Sequence, residues 1–272
     1  MLLLIGLVIG LVLGLTGAGG SVFAVPLLLM TGMTLPEATG ISLGAVAATT
    51  LFASVGTGLS GTAVLWRPGI ILALAGAVTA PLGQWLAILV PTDYVLAGFC
   101  TLAVIIALRM WLSANRTPEN ASWVRASNFN QVPVPDLVCA MNQSGQFELR
   151  PRCVSGLLIG GLGVGFLSGL FGVGGGFLIV PLLLALSAIS MAQAVSTSLF
   201  IIALVSSSGF ISYLFIHQPD NLSRLLLIVA GGILGMIVGQ KISLRVANAV
   251  LQKSFAACLF IICIITLARH YL

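Results

Sequence analysis

The amino-acid sequence predicts an all-α polytopic membrane protein built from two homologous halves, each a glycine-broken helical hairpin followed by three transmembrane helices. Three observations carry this reading. Of 272 residues, 59% are hydrophobic and only 6% charged, with a mean hydropathy of +1.18. A soluble domain carries roughly 25% charged residues and needs them to face water. Apolar runs recur at about the 20 residues that a bilayer-spanning helix requires. None alternates polar with apolar residues as an outer-membrane strand must, which excludes a β-barrel. The third observation is that a segment near the start of the chain returns in its second half.

That segment, Gly14-Leu-Thr-Gly-Ala-Gly-Gly-Ser-Val-Phe-Ala-Val-Pro-Leu-Leu-Leu29, superposes without a gap on Gly169-Leu-Phe-Gly-Val-Gly-Gly-Gly-Phe-Leu-Ile-Val-Pro-Leu-Leu-Leu184. The offset is 155, and ten of sixteen positions are identical. Leucine matches say little in so apolar a chain. The frame of Gly14, Gly17, Gly19, Gly20 and Pro26 against Gly169, Gly172, Gly174, Gly175 and Pro181 says more, because glycine and proline punctuate local structure. Gly6 and Gly10 likewise face Gly161 and Gly165. After a one-residue slip, residues 37–43 face 193–199 and Gly83-Gln84 falls on Gly239-Gln240 at an offset of 156. The halves are thus 1–113 and 154–272, joined by a polar linker at 114–153. Arg116, Glu119, Arg125, Asp136, Glu148, Arg150 and Arg152 make that linker the candidate aqueous segment.

Taken in order, each half opens on a broken apolar element, at 2–31 and 154–187. Three helices follow in each, near 37–60, 68–90 and 93–113, and near 191–216, 222–244 and 247–270. Pro68, Pro91 and Pro219 mark boundaries, since a proline disfavours helix in the residue before it. Pro118, Pro133, Pro135, Asn128, Asn130 and Gly145 give the linker no periodic pattern, and it is expected to be irregular. The first sixteen residues lack the charged n-region of a signal peptide and are read as retained. Cys100, Cys139, Cys153, Cys258 and Cys263 have no metal-ligand spacing and are read as ordinary apolar or unpaired thiols.

The chemistry concentrates at the breaks. The glycine runs at 17–20 and 172–176 interrupt helices at membrane depth, where each glycine costs roughly 1 kcal/mol of helix stability. Non-helical backbone at that depth must be buried in protein or line a cavity. Amides at the N-terminus of the following helix then suit an anion, through their unpaired N–H groups and the helix dipole. The candidate substrate-binding residues are therefore Gly17, Gly19, Gly20 and Ser21 in the first half and Gly172, Gly174, Gly175 and Gly176 in the second. Gly6, Gly10 and Gly14, with Gly161, Gly165 and Gly169, have the small-xxx-small spacing of close helix crossings.

Thr39, Ser42 and Thr49 share one helix stripe, and Ser196, Thr197, Ser198 and Ser206–Ser208 occupy the equivalent helix. Thr39, Ser42, Thr49, Ser196 and Ser198 are candidate lining residues, as are Gln84 and Gln240, which follow glycines at matching positions. Interhelical hydrogen bonding is an equal alternative for the hydroxyls. Catalysis has little to stand on: His217 and His270 lie at a helix end and beside the C-terminus, and no acid is repeated between halves. No catalytic, metal or cofactor site is expected.

The paired motif Gly-x-Gly-Gly-Ser/Gly followed by Pro-Leu-Leu-Leu, and then Ala-Thr/Val-Gly/Ser-Ile/Thr-Ser-Leu, resembles the TauE/SafE sulfite-exporter family of bacterial permeases. The resemblance covers both halves and omits the linker. It implies a permease for a small anion, sulfite or an organosulfur anion such as a sulfonate. One departure is Thr16-Gly-Ala-Gly-Gly-Ser21 against the glycine-richer second copy, which leaves the two half-sites chemically unequal.

Topology follows from counting crossings. If each broken element crosses once, the halves are parallel, and Lys241, Arg245 and Lys253 lie opposite the other eight basic residues. If each is a hairpin returning to its own side, the halves are inverted, and only Arg224 and Arg269 oppose the other nine. Inverted repeats suit alternating access around a midplane site, and they are the expectation adopted, with a cytoplasmic linker in the cell inner membrane. The net charge of +5 is accounted for by this asymmetry without a nucleic-acid partner. A homodimer is compatible with the sequence. The alternative function is a membrane scaffold or sensor acting through the linker.

Overall fold

The fold was analysed in a computed structural model, which describes residues 1–17, 19–59, 64–116, 139, 151–187, 189, 191–216, 222–243, 257 and 260. Its helices are α1 (Leu2–Thr16), α2 (Ala24–Leu29), α3 (Leu35–Leu59), α4 (Trp66–Leu89), α5 (Thr92–Arg116), α6 (Pro151–Phe171), α7 (Gly176–Leu186), α8 (Met191–Ile216) and α9 (Leu222–Ser243). A 3-10 segment, Gly19–Phe23, joins α1 to α2. Among the described residues, five helices are long and apolar enough to span a membrane: α3, α4, α6, α8 and α9. The helix expected at 247–270 lies outside the described residues.

Local chemistry explains the boundaries. Glu37 accepts a hydrogen bond from the Thr34 backbone N–H at 3.2 Å, the reciprocal half of a capping box at the start of α3. Pro68 lies in the first turn of α4 and Pro151 opens α6, where a missing N–H costs nothing. On α4, Ile70, Leu74, Val78, Leu82, Trp85 and Leu89 form an exposed apolar stripe at near four-residue spacing, a face suited to lipid. α3 is the innermost span, 72% buried along its apolar window, against 33% for α9.

Glycine faces set the packing and reveal its direction. Gly6, Gly10 and Gly14 of α1 lie against Ile228, Gly232 and Met236 of α9, so the two helices run parallel. Gly161, Gly165 and Gly169 of α6 meet Leu72, Gly76 and Ala80 of α4 in the same order. The two contacts match under the sequence repeat, and each opening helix packs on a helix from the other part of the chain. Between them α3 and α8 run antiparallel, with Gly40 on Tyr213, Gly44 on Phe210 and Gly209 on Leu43. α4 and α8 run parallel: the Leu65 N–H donates to Thr197 Oγ1 at 3.1 Å and the Ser208 hydroxyl to the Ala77 carbonyl at 2.6 Å.

These pairings fix where the chain turns back. Five residues, 217–221, separate α8 from α9, and five extended residues reach at most about 18 Å. Helices of 26 and 22 residues so joined must be antiparallel. α9 therefore runs with α3, and so does α1. The chain reverses between α1 and α3, and by the same argument between α6 and α8.

One expectation is corrected. Cys139 and Cys153, read as ordinary thiols, form a disulfide across 14 residues with a Cα–Cα distance of 5.0 Å. The Cys139 N–H also donates to the Leu186 carbonyl at 3.0 Å, and Cys139 bridges to Ser187. Spacing along a chain does not reveal pairing, and here Cys139 lies against the end of α7. Helix also extends into both ends of the linker, through Arg116 and from Pro151, where irregular chain was expected. Cys100 is buried in α5; Cys258 and Cys263 lie outside the described residues.

Candidate functional site

The two breaks differ in construction. In the first, α1 ends on Gly17 at φ 76°, whose Cα abuts the Val195 side chain, and Gly20 lies on the backbone of Ile9 and Leu13. The chain then proceeds through the 3-10 segment into an α2 of only six residues. In the second, Gly172, Gly174 and Gly175 take φ 67°, 72° and 67°, a left-handed conformation that side chains rarely adopt. α7 begins at Gly176 and runs for 11 residues, with the Leu178 and Ile179 N–H groups donating to Gly175 O at 3.0 and 3.2 Å. Its first-turn amides and the positive end of its dipole face back toward the break.

Three helices converge on that second break. Thr39 of α3 touches Gly172, Val46 of α3 and Ser206 of α8 meet Gly174, and Ser168 of α6 meets Gly175. Ser42 falls between Thr39 and Val46 on the same face of α3. The oxygens Ser42 Oγ, Ser168 Oγ, Ser206 Oγ and Gln84 Oε1 are all buried without a hydrogen-bond partner. Each costs about 1–3 kcal/mol in that state, so a cluster of them is a cost that a polar ligand or water would relieve. Gln84 lies one turn from the break, its backbone against Gly169. A cavity of about 90 Å³, lined by Leu35, Pro36, Thr39, Gln84, Ile88 and Thr92 among others, reaches both Thr39 and Gln84. It lies at the start of α3 and the end of α4, the face opposite the linker.

The remaining candidates are placed elsewhere or are already engaged. The Thr49 hydroxyl donates to the Ala45 carbonyl at 2.8 Å while its methyl packs on Gly232 of α9, so the α3 stripe divides between two neighbours. Ser198 donates to the Val195 carbonyl at 2.8 Å. Ser21 is fully buried with a partner of its own, Ser196 is buried, and the half-buried Gln240 is engaged, its backbone against Gly14. The Thr39 hydroxyl donates to the Pro36 carbonyl at 2.9 Å. Gly19 opens the 3-10 segment. Ser168 and Ser206 were not among the sequence candidates. Ser206 stood in a serine run that was noted, and Ser168 replaces Leu13 of the first copy, a difference that a search for matches passes over. Among the described residues, no group of three or more His, Cys, Asp or Glu is arranged to hold a metal ion.

Discontinuous, glycine-broken membrane helices in corresponding positions of two repeats are a feature that secondary transporters share. A family model described as Sulfite exporter TauE/SafE matches residues 2–266. The chain belongs to this family. It is similar to a "Probable membrane transporter protein" of Xylella fastidiosa strain Temecula1, with 30% identity over 272 residues, 98% of this chain and 94% of the relative. It is also similar to "Probable membrane transporter protein YunE" of Bacillus subtilis strain 168, at 27% identity over 256 residues and 90% of each chain. No solved structure matches the chain. This TauE/SafE protein is therefore a multi-pass membrane transporter and not an enzyme.

Proposed function

We infer that this TauE/SafE protein moves a small anion, sulfite or an organosulfur anion such as a sulfonate, by alternating access around a site at its glycine breaks. The observation that carries the reading is the cluster of buried, unpartnered hydroxyls at Gly174 and Gly175, ahead of the α7 N-terminus. Hydroxyls and amides can donate to an oxyanion without a fixed positive charge. Neutral donors hold an anion less tightly than an arginine would, which suits a protein that must release it. The affinity expected is micromolar to millimolar, roughly −4 to −8 kcal/mol. Thr39 and Gln84, which the cavity shares, would line the approach.

Inverted repeats are the architecture proposed for this movement. The antiparallel crossing of α3 and α8 supports it, because two repeat-related helices meeting antiparallel need an axis lying across them, in the membrane plane. The reversals between α1 and α3 and between α6 and α8 support the hairpin form of the broken elements. In this arrangement Arg67, Arg152 and Lys241 share the linker face and Arg224 lies opposite. The proposed orientation puts the linker in the cytoplasm and the protein in the inner membrane. The Cys139–Cys153 disulfide pulls the other way, since cytosolic thiols are kept reduced. Charge takes precedence because orientation is set during insertion, before the linker can fold and oxidise.

The test is a thermal-unfolding screen of detergent-purified protein against sulfite, thiosulfate, alkanesulfonates, carboxylates and matched cations. A bound anion at a hundred times its Kd should stabilise the fold by about 2.7 kcal/mol. Stabilisation by a cation or an uncharged solute, with no response to any anion, overturns the reading. Deleting the linker should leave anion binding in place; its loss on deletion with the fold intact favours a scaffold.

A further inference from the structure

We propose that the anion rests on the second glycine break alone, with Ser206 and Ser168 as two of its donors, and that the first break is a packing counterpart that binds nothing. The proposal rests on the anion-permease reading and deepens it by choosing between two half-sites that the repeat makes nearly equivalent. The choice comes from comparing the same position in each half. Ser206 faces the second break, its Oγ 2.7 Å from where a Cβ on Gly174 would stand. Its repeat counterpart is Thr50, whose hydroxyl donates to the Val46 carbonyl at 2.6 Å and has nothing left to give in that direction.

The other positions divide in the same way. Ser42 has no partner, whereas its counterpart Ser198 is spent on Val195. Ser168, whose Cβ is 3.2 Å from where a Cβ on Gly175 would stand, corresponds to the apolar Leu13.

The missing bonds at the second break are out of keeping with the other helical hydroxyls. Thr49, Thr50, Thr79, Thr101 and Ser207 each donate to the carbonyl one turn earlier, as Ser and Thr in apolar helices commonly do. Ser207 does so at 2.6 Å, while its neighbour Ser206, fully buried, does not. α7 starts directly from Gly175, so the positive end of its dipole is aimed into the same space. At the first break the chain reaches α2 only through the 3-10 segment Gly19–Phe23. Unpartnered donors and an α-helix N-terminus thus coincide at the second break.

The experiment measures sulfite and methanesulfonate binding to the full-length purified protein by thermal shift and calorimetric titration. The variants are Ser206→Ala, Ser168→Ala and, as the repeat counterpart, Thr50→Val. The two alanine variants are expected to weaken anion binding about tenfold or more each, the effect of losing a hydrogen bond to a charged group. Their ligand-free unfolding temperatures should stay level or rise, because the deleted hydroxyl satisfied nothing, and this separates a binding role from a structural one. Thr50→Val should bind within twofold of the parent. Parent-like affinity in both alanine variants, or an equal loss in Thr50→Val, overturns the proposal. If neither anion nor any other in the wider screen shifts the parent protein, the permease reading fails and the proposal falls with it.

Discussion

Gly165 and Gly163 lie two residues apart on α6 and meet opposite surroundings. A Cβ on Gly165 would run into the backbone of Gly76 and the Thr79 hydroxyl, whereas one on Gly163 would meet nothing within 4 Å. Gly165→Val should therefore cost about 3 kcal/mol or more, the upper range for overpacking against backbone that cannot move. Gly163→Ala should be neutral or stabilise by up to about 1 kcal/mol, since it removes a helix penalty. Thermal unfolding in one detergent checks both, and equal effects would contradict the close α4–α6 crossing. The crossing glycines were legible in sequence because their spacing is itself the signal. Of the buried oxygens without a partner, that of Ser42 stands on a helix stripe and that of Gln84 at a repeated position, both visible in sequence, but nothing local separates Ser206 from Ser207.

At the scale of the element, the start of α3 is held by Glu37, whose carboxylate takes the Thr34 N–H. Glu37→Gln keeps an acceptor at the same reach and should cost less than about 0.5 kcal/mol, while Glu37→Ala loses the bond and should cost about 1 kcal/mol. Chemical or thermal unfolding of the two variants distinguishes them; equal losses would make the charge, not the hydrogen bond, the stabilising feature. The linker gives a second prediction, because the disulfide ties Cys139 to α6 while its backbone bonds α7. Closing a loop of this size stabilises by about 3 kcal/mol in the chain-entropy account. Dithiothreitol should lower the unfolding temperature of the parent and leave a Cys139→Ala/Cys153→Ala double variant unmoved. Peptide mapping without reductant should recover the Cys139–Cys153 link.

Element boundaries were readable from sequence to within a few residues. The helices expected near 37–60, 68–90 and 191–216 are Leu35–Leu59, Trp66–Leu89 and Met191–Ile216. Long apolar runs, glycine breaks and flanking prolines act locally, so no partner is needed to locate them. The cysteine pairing was not readable, because it depends on where the linker's path returns.

For the whole molecule, the helix directions predict which positions share a face of the membrane. Leu4 and Ser223, near the starts of the parallel α1 and α9, should lie on one side, and Ser155 near the start of α6 on the other. Single cysteines introduced at these positions in a cysteine-free background, labelled in intact cells with a membrane-impermeant thiol reagent, test this directly. Leu4→Cys and Ser223→Cys should label from outside, and Ser155→Cys only after lysis. The reverse pattern keeps the inverted halves and flips the orientation in favour of the disulfide. Labelling of Leu4→Cys and Ser155→Cys from the same side would exclude the arrangement.

What the sequence by itself determined is the membrane setting, the order and extent of the helices, the internal repeat and the glycines at which chain and helix part. All of these are local or periodic properties, written in composition and spacing. Tertiary structure decided how the repeated pieces exchange partners, α1 onto α9 and α6 onto α4, and how the α3 stripe divides between Gly172 and Gly232. It also decided which of two similar breaks keeps unpartnered donors. The physical reason is that a hydroxyl's role depends on whether its own helix has already taken its proton. That is settled by a rotamer and a neighbour, which two nearly identical stretches of sequence do not distinguish.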